Sequence, residues 1–486
     1  MTTLEQGFKE KICNLLTELS CCHRCIVRFL GIHVLDNEKA YQNPKEYLKE
    51  LLHNTENYTG PEPKRIKANV CPVCLNCYNS ETLEKILESY KLVSKEYNAY
   101  NTFFFNVSFP KCLSIRAHSM YLYLVEKFPN TPFGNLYNST DTMLEQPHRI
   151  FRSVASSILS KTLNKTFHPK SNLSLLITLA YKDDNTEVEA ITNILGKKKR
   201  NKFEVSRNNI FELLKDIDEE KFKKYFPVPP IIPQEEISIE KIDLCADPIY
   251  LGGRYFKFKR NVGQTPWVID GVSVSEHNVQ DIIFDAICDT LGFDRKQMTF
   301  SASGREDLDV RMLGTGRPFY IKIENPANRN ILKSQLLAIE ESILKTELAA
   351  VVKLKIVYAS DLNKIKTGEE SKKKTYKALC KTDAPDIKQA IEKINALEAL
   401  EITQATPMRV LHRRSLLPRT KTIHKMEAKE TEGNLFEVEI VTQAGTYVKE
   451  FVHGDLERTC PNLCSIVGYS TDIVALDCID INLEWP

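Results

Sequence analysis

Two Cys-x-x-Cys pairs, Cys22/Cys25 and Cys71/Cys74, restrict the folding of this 486-residue chain more than any other feature. A two-residue spacer lets both thiolates of a pair occupy one edge of a tetrahedral site, and thiolates suit Zn2+. Residues 26–70 lie between the pairs, a longer separation than compact zinc ribbons use. One shared ion would therefore pin the N-terminal helix to a later segment. Four cysteine ligands leave no open position for water, so one structural zinc is expected rather than a catalytic one. Cys21 and Cys77 are spare thiols, and Cys13 is expected to pack within the helix.

The N-terminus, Met1-Thr-Thr-Leu-Glu-Gln6, lacks the basic and apolar regions of a secretory signal. An intracellular protein, nuclear, cytoplasmic or both, is the expectation, with its 14 cysteines mostly reduced. No apolar run approaches the roughly 20 residues that span a bilayer, so no membrane partner is expected.

The chain is long enough for several domains. Pro227-Val-Pro-Pro-Ile-Ile-Pro233 reads as a stiff, extended linker, because proline continues neither a helix nor a central strand. The expected order is a zinc-binding segment at 1–79, with a polar, mobile insertion at about 36–66, then an accessory domain at 80–226. A linker over 227–240 leads to a second domain at 241–486. Leu4–Leu19 and about 148–163 have helical periodicity, whereas Phe103–Phe109 and Leu173–Tyr181 read as strands. Beyond the linker, Ser275 is a candidate N-cap for a helix, followed by strands at 351–358, 375–380, 435–441, 446–450 and 473–477. Helices are expected over about 330–348 and 387–400. The class is α+β with a central mixed or antiparallel sheet.

Between two strand-like runs lies Ser301-Ala-Ser-Gly-Arg-Glu-Asp-Leu-Asp-Val-Arg-Met-Leu-Gly314. Asp307 has Arg305 two residues before it and Asp309 two after. An aspartate near glycine usually serves a turn. Two other segments shift the balance toward chemistry. Tyr376 lies in the strand after Lys372-Lys-Lys374. Tyr447 and Lys449 alternate onto one face if Thr446–Glu450 is a strand. A lysine facing Asp307 would keep the carboxylate ionised, and two tyrosines could sandwich a flipped base. Together these make a metal-free, nucleotide-isomerising site.

The segment 402–426 contains Arg409, Arg413, Arg414, Arg419, Lys421 and Lys425 and no acid. The overall charge of only +2 hides that clustering. Phosphate and sugar contacts are the expected use of such a run, although a solvated basic hairpin would have the same composition. Gly196-Lys-Lys-Lys-Arg-Asn-Lys202 is a second basic cluster.

The motif around Asp307, with Gly316-Arg-Pro-Phe319, resembles the active-site signature of the archaeal and eukaryotic Pus-ten family of tRNA pseudouridine synthases. So do Gln264-Thr-Pro-Trp-Val-Ile-Asp-Gly271, Gln404-Ala-Thr-Pro-Met-Arg-Val-Leu-His-Arg-Arg414 and Gly445-Thr-Tyr-Val-Lys-Glu-Phe-Val-His-Gly454. The cysteine pairs are similar to the family's N-terminal zinc motif. The resemblance implies a eukaryotic member with a pseudouridine synthase catalytic domain and an accessory THUMP-containing, RNA-binding domain. It implies that Asp307 is the catalytic aspartate and that Arg305 helps to displace the target uridine. Tyr376 would stack on the base, Tyr447 would contact it, and Lys449 would pair with the aspartate. The implied substrate is the TΨC arm of tRNA at positions 54 and 55, isomerised by a monomer without a catalytic cofactor. A non-catalytic RNA-binding adaptor for structured or small-RNA precursors is the alternative, and other structured RNAs are further candidate partners.

Overall fold

The computed structural model describes residues 6–52, 70–93, 97–129, 144–195, 205–206, 209–215, 217–365, 372–410 and 415–486. The chain divides into two compact units, Met1–Ala246 and Asp247–Pro486.

In the first unit, α1 (Gln6–Glu18) and α2 (His23–Phe29) flank the first cysteine pair. They are followed by α3 (Lys39–Gln42), α4 (Pro44–Leu52) and α5 (Ser80–Val93). The rest is built from β1 (Thr102–Ser108), α6 (Cys112–Lys127), α7 (Pro147–Leu163), β2 (Thr166–Phe167) and β3 (Leu173–Ala180). It ends with α8 (Asp184–Leu195), α9 (Ile210–Lys215), α10 (Glu219–Tyr225) and β4 (Ser238–Ala246). The sheet order is β2-β1-β3-β4, parallel except for the antiparallel β3–β4 pair.

Three expectations about this unit change. Residues 39–52 belong to a segment expected to be mobile, yet they form α3 and α4. Tyr41, Leu48 and Leu52 are buried, and Pro44 opens α4 instead of breaking structure. The remainder of that insertion, 53–66, lies outside the described residues. Segments 1–79 and 80–226, expected as separate modules, share one core, in which Phe29, Tyr41 and Leu75 join Phe103, Phe151 and Leu175. The proline-rich stretch is tied down: Ser119 Oγ donates to Pro227 O at 2.5 Å and Arg116 Nη1 to Ile231 O at 2.9 Å. Residues 238–246, part of the expected linker and second domain, instead extend the first unit's sheet as β4.

The second unit opens with β5 (Ile249–Lys257), the short hairpin β6 (Val268–Ile269) and β7 (Val272–Ser273), then α11 (Val279–Leu291). Asn278 rather than Ser275 caps α11, its side chain accepting from Asp281 N. There follow β8 (Met298–Ala302), β9 (Val310–Ile323), α12 (Lys333–Leu344), β10 (Ala349–Val357) and β11 (Lys373–Thr382). The chain continues through α13 (Ile387–Asn395), β12 (Leu400–Gln404), β13 (Arg419–Glu430) and β14 (Leu435–Gln443). It closes with α14 (Val448–His453), β15 (Thr459–Cys460), α15 (Leu463–Val467) and β16 (Thr471–Ile481).

These strands form a mixed sheet in the order β10-β5-β9-β16-β11-β14-β13-β12-β15, with β8 also paired to β9. The β9–β16 pair at its centre is parallel and the other pairs are antiparallel. One core gathers around α11, α12, β5 and β9, another around α13, α14, β13 and β14, and Tyr376 of β11 packs against both. Strand β9 lies between β5 and β16, with Met312 paired to both, and just beyond it Gly314 presses against Ile479 of β16. A Cβ there would lie 1.8 Å from Ile479 O, and φ is +58°, so only glycine allows this approach. The pairing of Val310–Met312 with Leu476–Cys478 fixes where the loop before β9, which carries Asp307, emerges. No described helix is long and apolar enough to cross a membrane.

Candidate active site and metal centre

The loop 303–309 is held from beneath by buried polar groups. Glu306 is almost fully buried and accepts from Arg317 Nε at 2.7 Å and from the Tyr255 hydroxyl at 2.8 and 3.0 Å. Gln264 donates to the Tyr255 hydroxyl at 2.7 Å and to Gly304 O at 2.9 Å. Lys257, with no exposed surface, donates to Val262 O (2.8 Å), Asp307 O (2.9 Å) and Leu308 O (3.3 Å). Burial pulls its ammonium down to about 8, opposed by Glu306 and the two site aspartates. With Glu306 turned inward and the backbone clamped, the neighbouring Asp307 side chain is left facing outward.

Asp307 is 38% exposed, and its Oδ2 receives Arg409 Nη1 at 2.6 Å. Arg409 is itself oriented by the buried Glu450, through Nε–Oε1 at 2.7 Å and Nη2–Oε2 at 3.1 Å. Burial alone would lower the Arg409 pKa, but Glu450 and Asp307 more than compensate and raise it. Lys449 Nζ lies 2.6 and 2.7 Å from the Asp309 oxygens and 3.5 Å from Asp307 Oδ2. Partial burial would raise the Asp309 carboxyl, but the Lys449 ammonium outweighs it and holds the group below its ordinary value. Both cations approach Oδ2, and Asp307 Oδ1 accepts no hydrogen bond among the described residues.

Tyr376 is half-buried at the junction of the two cores. Burial pushes its phenol up, and Asp307 is among the charges acting on it. Tyr447 caps α14, its backbone bound in both directions by the Gln404 side chain at 2.9 Å, and the Arg409 guanidinium lies 6.0 Å from its ring centroid. Arg305 Nη1 donates to Thr265 Oγ1 at 3.0 Å.

The structure brings Asp307, Lys449 and Tyr447 together, but not as the sequence pattern implied. Residues 448–453 are helical rather than a strand: Val448, Phe451 and Val452 are buried at helical spacing, and Gly445 and Gly454 bound the segment with positive φ. Lys449 therefore arrives from a first helical turn and binds Asp309 more closely than Asp307. Arg409, grouped on sequence with phosphate contacts, is the direct partner of Asp307. Of the other basic positions, Arg419 binds Thr406 Oγ1 and Ser415 Oγ, and Lys421 donates to Ala444 O at 2.8 Å. Arg413 and Arg414 lie outside the described residues. Glu450, Gln404, Lys257 and Glu306 carry no composition signal of a role. Only the motifs containing three of them set those positions apart, and Lys257 lies in none.

In the first unit, the sulfurs of Cys22, Cys25, Cys71 and Cys74 all lie within 4.8 Å of one another. The Cys22–Cys74 pair is 3.6 Å apart, and Cys22 N–H points at Cys71 Sγ at 3.4 Å. A tetrahedral Zn2+ with bonds of about 2.3 Å sets its sulfurs about 3.8 Å apart, so the set fits one such ion. Arg24 braces the cluster by donating to Tyr41 O and Tyr78 O, both at 2.9 Å.

Residues 250–482 match the family model described as Pus10, C-terminal, and residues 70–245 the one described as eukaryotic Pus10, N-terminal. The chain is 32% identical to the tRNA pseudouridine synthase Pus10 of Homo sapiens, over 98% of this chain and 97% of that protein. This chain belongs to the Pus10 family of tRNA pseudouridine synthases. The putative Pus10 of Drosophila melanogaster is 31% identical over 97% of this chain and 96% of its own length. The Pus10 of Pyrococcus furiosus is 32% identical over 52% of this chain and 62% of its own. Among solved structures, a chain of a Cbf5-Nop10-Gar1 complex aligns over 47% of this chain and 48% of its own, at 16% identity and a TM-score of 0.27.

Proposed function

We propose that this chain isomerises uridine to pseudouridine in the TΨC arm of tRNA, at position 54, 55 or both, with Asp307 as the catalytic group. The observation that carries this reading is Asp307 Oδ1, which accepts no hydrogen bond among the described residues, beside an Oδ2 fixed by Arg409 and faced by Lys449. Cations at one oxygen orient the carboxylate and leave the other for the sugar. In the reaction the N1–C1′ bond breaks, the uracil turns, and a C5–C1′ bond forms. C5 then loses its proton and N1 gains one from solvent. Asp307 serves either by attack at C1′ or by taking the C2′ proton. Tyr376 stacks on the extruded base, Tyr447 contacts it from α14, and Arg305 fills the space the uridine vacates.

Arg413, Arg414, Arg419 and Lys421 are proposed phosphate contacts around the 405–418 connection. The first unit is proposed as an accessory RNA-binding unit of THUMP type, stapled by one structural zinc on Cys22, Cys25, Cys71 and Cys74. The test is incubation with an unmodified tRNA transcript, followed by mapping of alkali-resistant carbodiimide adducts. Adducts at 54 or 55 are expected. Tight tRNA binding without product at either position would instead make the chain an RNA-binding adaptor.

A further inference from the structure

The first unit distributes its charge unevenly. From Pro147 to Lys170, through α7 and β2, the chain carries Arg149, Arg152, Lys161, Lys165 and Lys170 and no acidic residue. Residues 97–125, which include β1, also contain no acid. Strand β4 and its approach carry Glu235, Glu236, Glu240 and Asp243 instead. Since β2 and β4 are the outer strands of the sheet, one edge is basic and the other largely acidic.

The basic edge also presents aromatic rings. The Arg152 guanidinium of α7 lies 5.4 Å from the ring centroid of Phe104 on β1 and 6.0 Å from that of Phe167 on β2. The two rings are 6.2 Å apart and inclined by 32°. Phe103 and Phe105 turn into the core, which leaves Phe104 on the other sheet face beside the exposed Asn106. All three members of the cluster are half-buried, and Arg152, Lys161 and Lys170 make no ion pair among the described residues. The positive field reaches His148, whose pKa is lowered by burial first and then by Arg152 and Arg149.

We propose that this edge binds unstacked nucleotides of the RNA substrate, with bases stacking on Phe104 and the Arg152 guanidinium, which Phe167 backs from the core side, and with Lys161 and Lys170 on adjacent phosphates. A duplex hides its base faces and would be met by cations alone, whereas aromatic and guanidinium planes at the surface fit bases that have left a stack. The assignment rests on the reading of the chain as acting on RNA, so its test scores binding apart from turnover.

Full-length protein is titrated, by fluorescence anisotropy at fixed salt, into a single-stranded RNA of about 12 nucleotides, within the ~4–16 nucleotides such surfaces cover, and into a duplex of equal length. Arg152→Ala and Phe104→Ala are each expected to weaken single-strand binding about tenfold and to leave duplex binding within about twofold. Arg152→Lys should recover only part of the loss, since an ammonium keeps the charge without the stacking plane. Thermal melting confirms that each variant is folded, and because Phe104→Ala also loses packing, Arg152→Ala decides. Unchanged single-strand binding by Arg152→Ala, equal loss on both probes, or full rescue by lysine would each overturn the proposal. Selective loss in a protein that forms no pseudouridine would uphold the nucleotide-binding edge and remove only the catalytic reading.

Discussion

Glu450→Gln isolates the contribution of the device that aims Arg409 at Asp307. The two side chains are isosteric, but the glutamine amide can accept only one of the two guanidinium hydrogen bonds now made at 2.7 and 3.1 Å. Its NH2 group would face an Arg409 N–H, donor against donor. A hydrogen bond to a charged group contributes about 1.5–3 kcal/mol, and Glu450 is only 4% exposed, so water replaces little of it. If the lost orientation falls on the transition state, kcat drops about 10- to 150-fold at about 1.4 kcal/mol per factor of ten. A buried residue does not reach the RNA backbone, so tRNA affinity should stay within about twofold. Single-turnover pseudouridine formation on a tRNA transcript gives the first quantity and filter binding the second. A kcat within threefold of the unmodified protein in a folded Glu450→Gln variant would refute the claim that Arg409 must be held in place. A tenfold loss of affinity at unchanged kcat would move Arg409 to RNA binding.

Other outcomes follow from the same geometry. Lys257 titrates at about 8 in the folded unit and near 10.4 when unfolded. Below pH 8 both states are protonated and no slope arises. Between about 8 and 10 the unfolded chain binds more protons, so Lys257 makes stability rise with pH by on the order of 3 kcal/mol. Lys257→Met should remove that rise in urea denaturation across this window, and an unchanged slope would contradict the assignment. Chelation, or Cys25→Ser, should release about one zinc per chain by mass spectrometry and destabilise the first unit, while the second keeps its own melting transition. Gly314→Ala should unfold or strand the second unit in aggregates, because the 1.8 Å approach to Ile479 O leaves no room for a methyl group. A soluble, active Gly314→Ala protein would show that β9 can pass Ile479 without that close approach.

Much of the fold was legible because strand alternation and helical periodicity are local: β1, β3, β11, β14 and α7 lie within a few residues of the expected positions. The errors arose where packing overrules local preference. Thr446, Tyr447 and Val448 favour strands by residue type, yet buried Val448, Phe451 and Val452 make the segment a helix. Pro227–Pro233 reads as a stiff, extended linker at the domain boundary, but it belongs to the first unit, its Pro227 and Ile231 carbonyls hydrogen-bonded by Ser119 and Arg116 from more than 100 residues away. The motifs singled out Asp307, Tyr447 and Lys449, which the structure brings together, and the four cysteines, whose sulfurs cluster. The work of Arg409 could not be named that way, since a count of basic residues does not reveal that one of them faces a carboxylate. Lys257 was invisible, and Glu450 was set apart by its motif alone, for a related reason: a buried charge is identified by its partners, and those are distant in sequence.

The most direct test of the account is pseudouridine formation by Asp307→Asn on an unmodified tRNA transcript, measured in a single turnover beside the unmodified protein and beside Asp309→Asn. The amide keeps the shape of the loop and removes the anionic oxygen that Arg409 orients. Asp307→Asn should bind tRNA normally and give no product at position 54 or 55, while Asp309→Asn retains measurable turnover. Product formed by Asp307→Asn at a rate near that of the unmodified protein would contradict the assignment of Asp307 as the catalytic carboxylate.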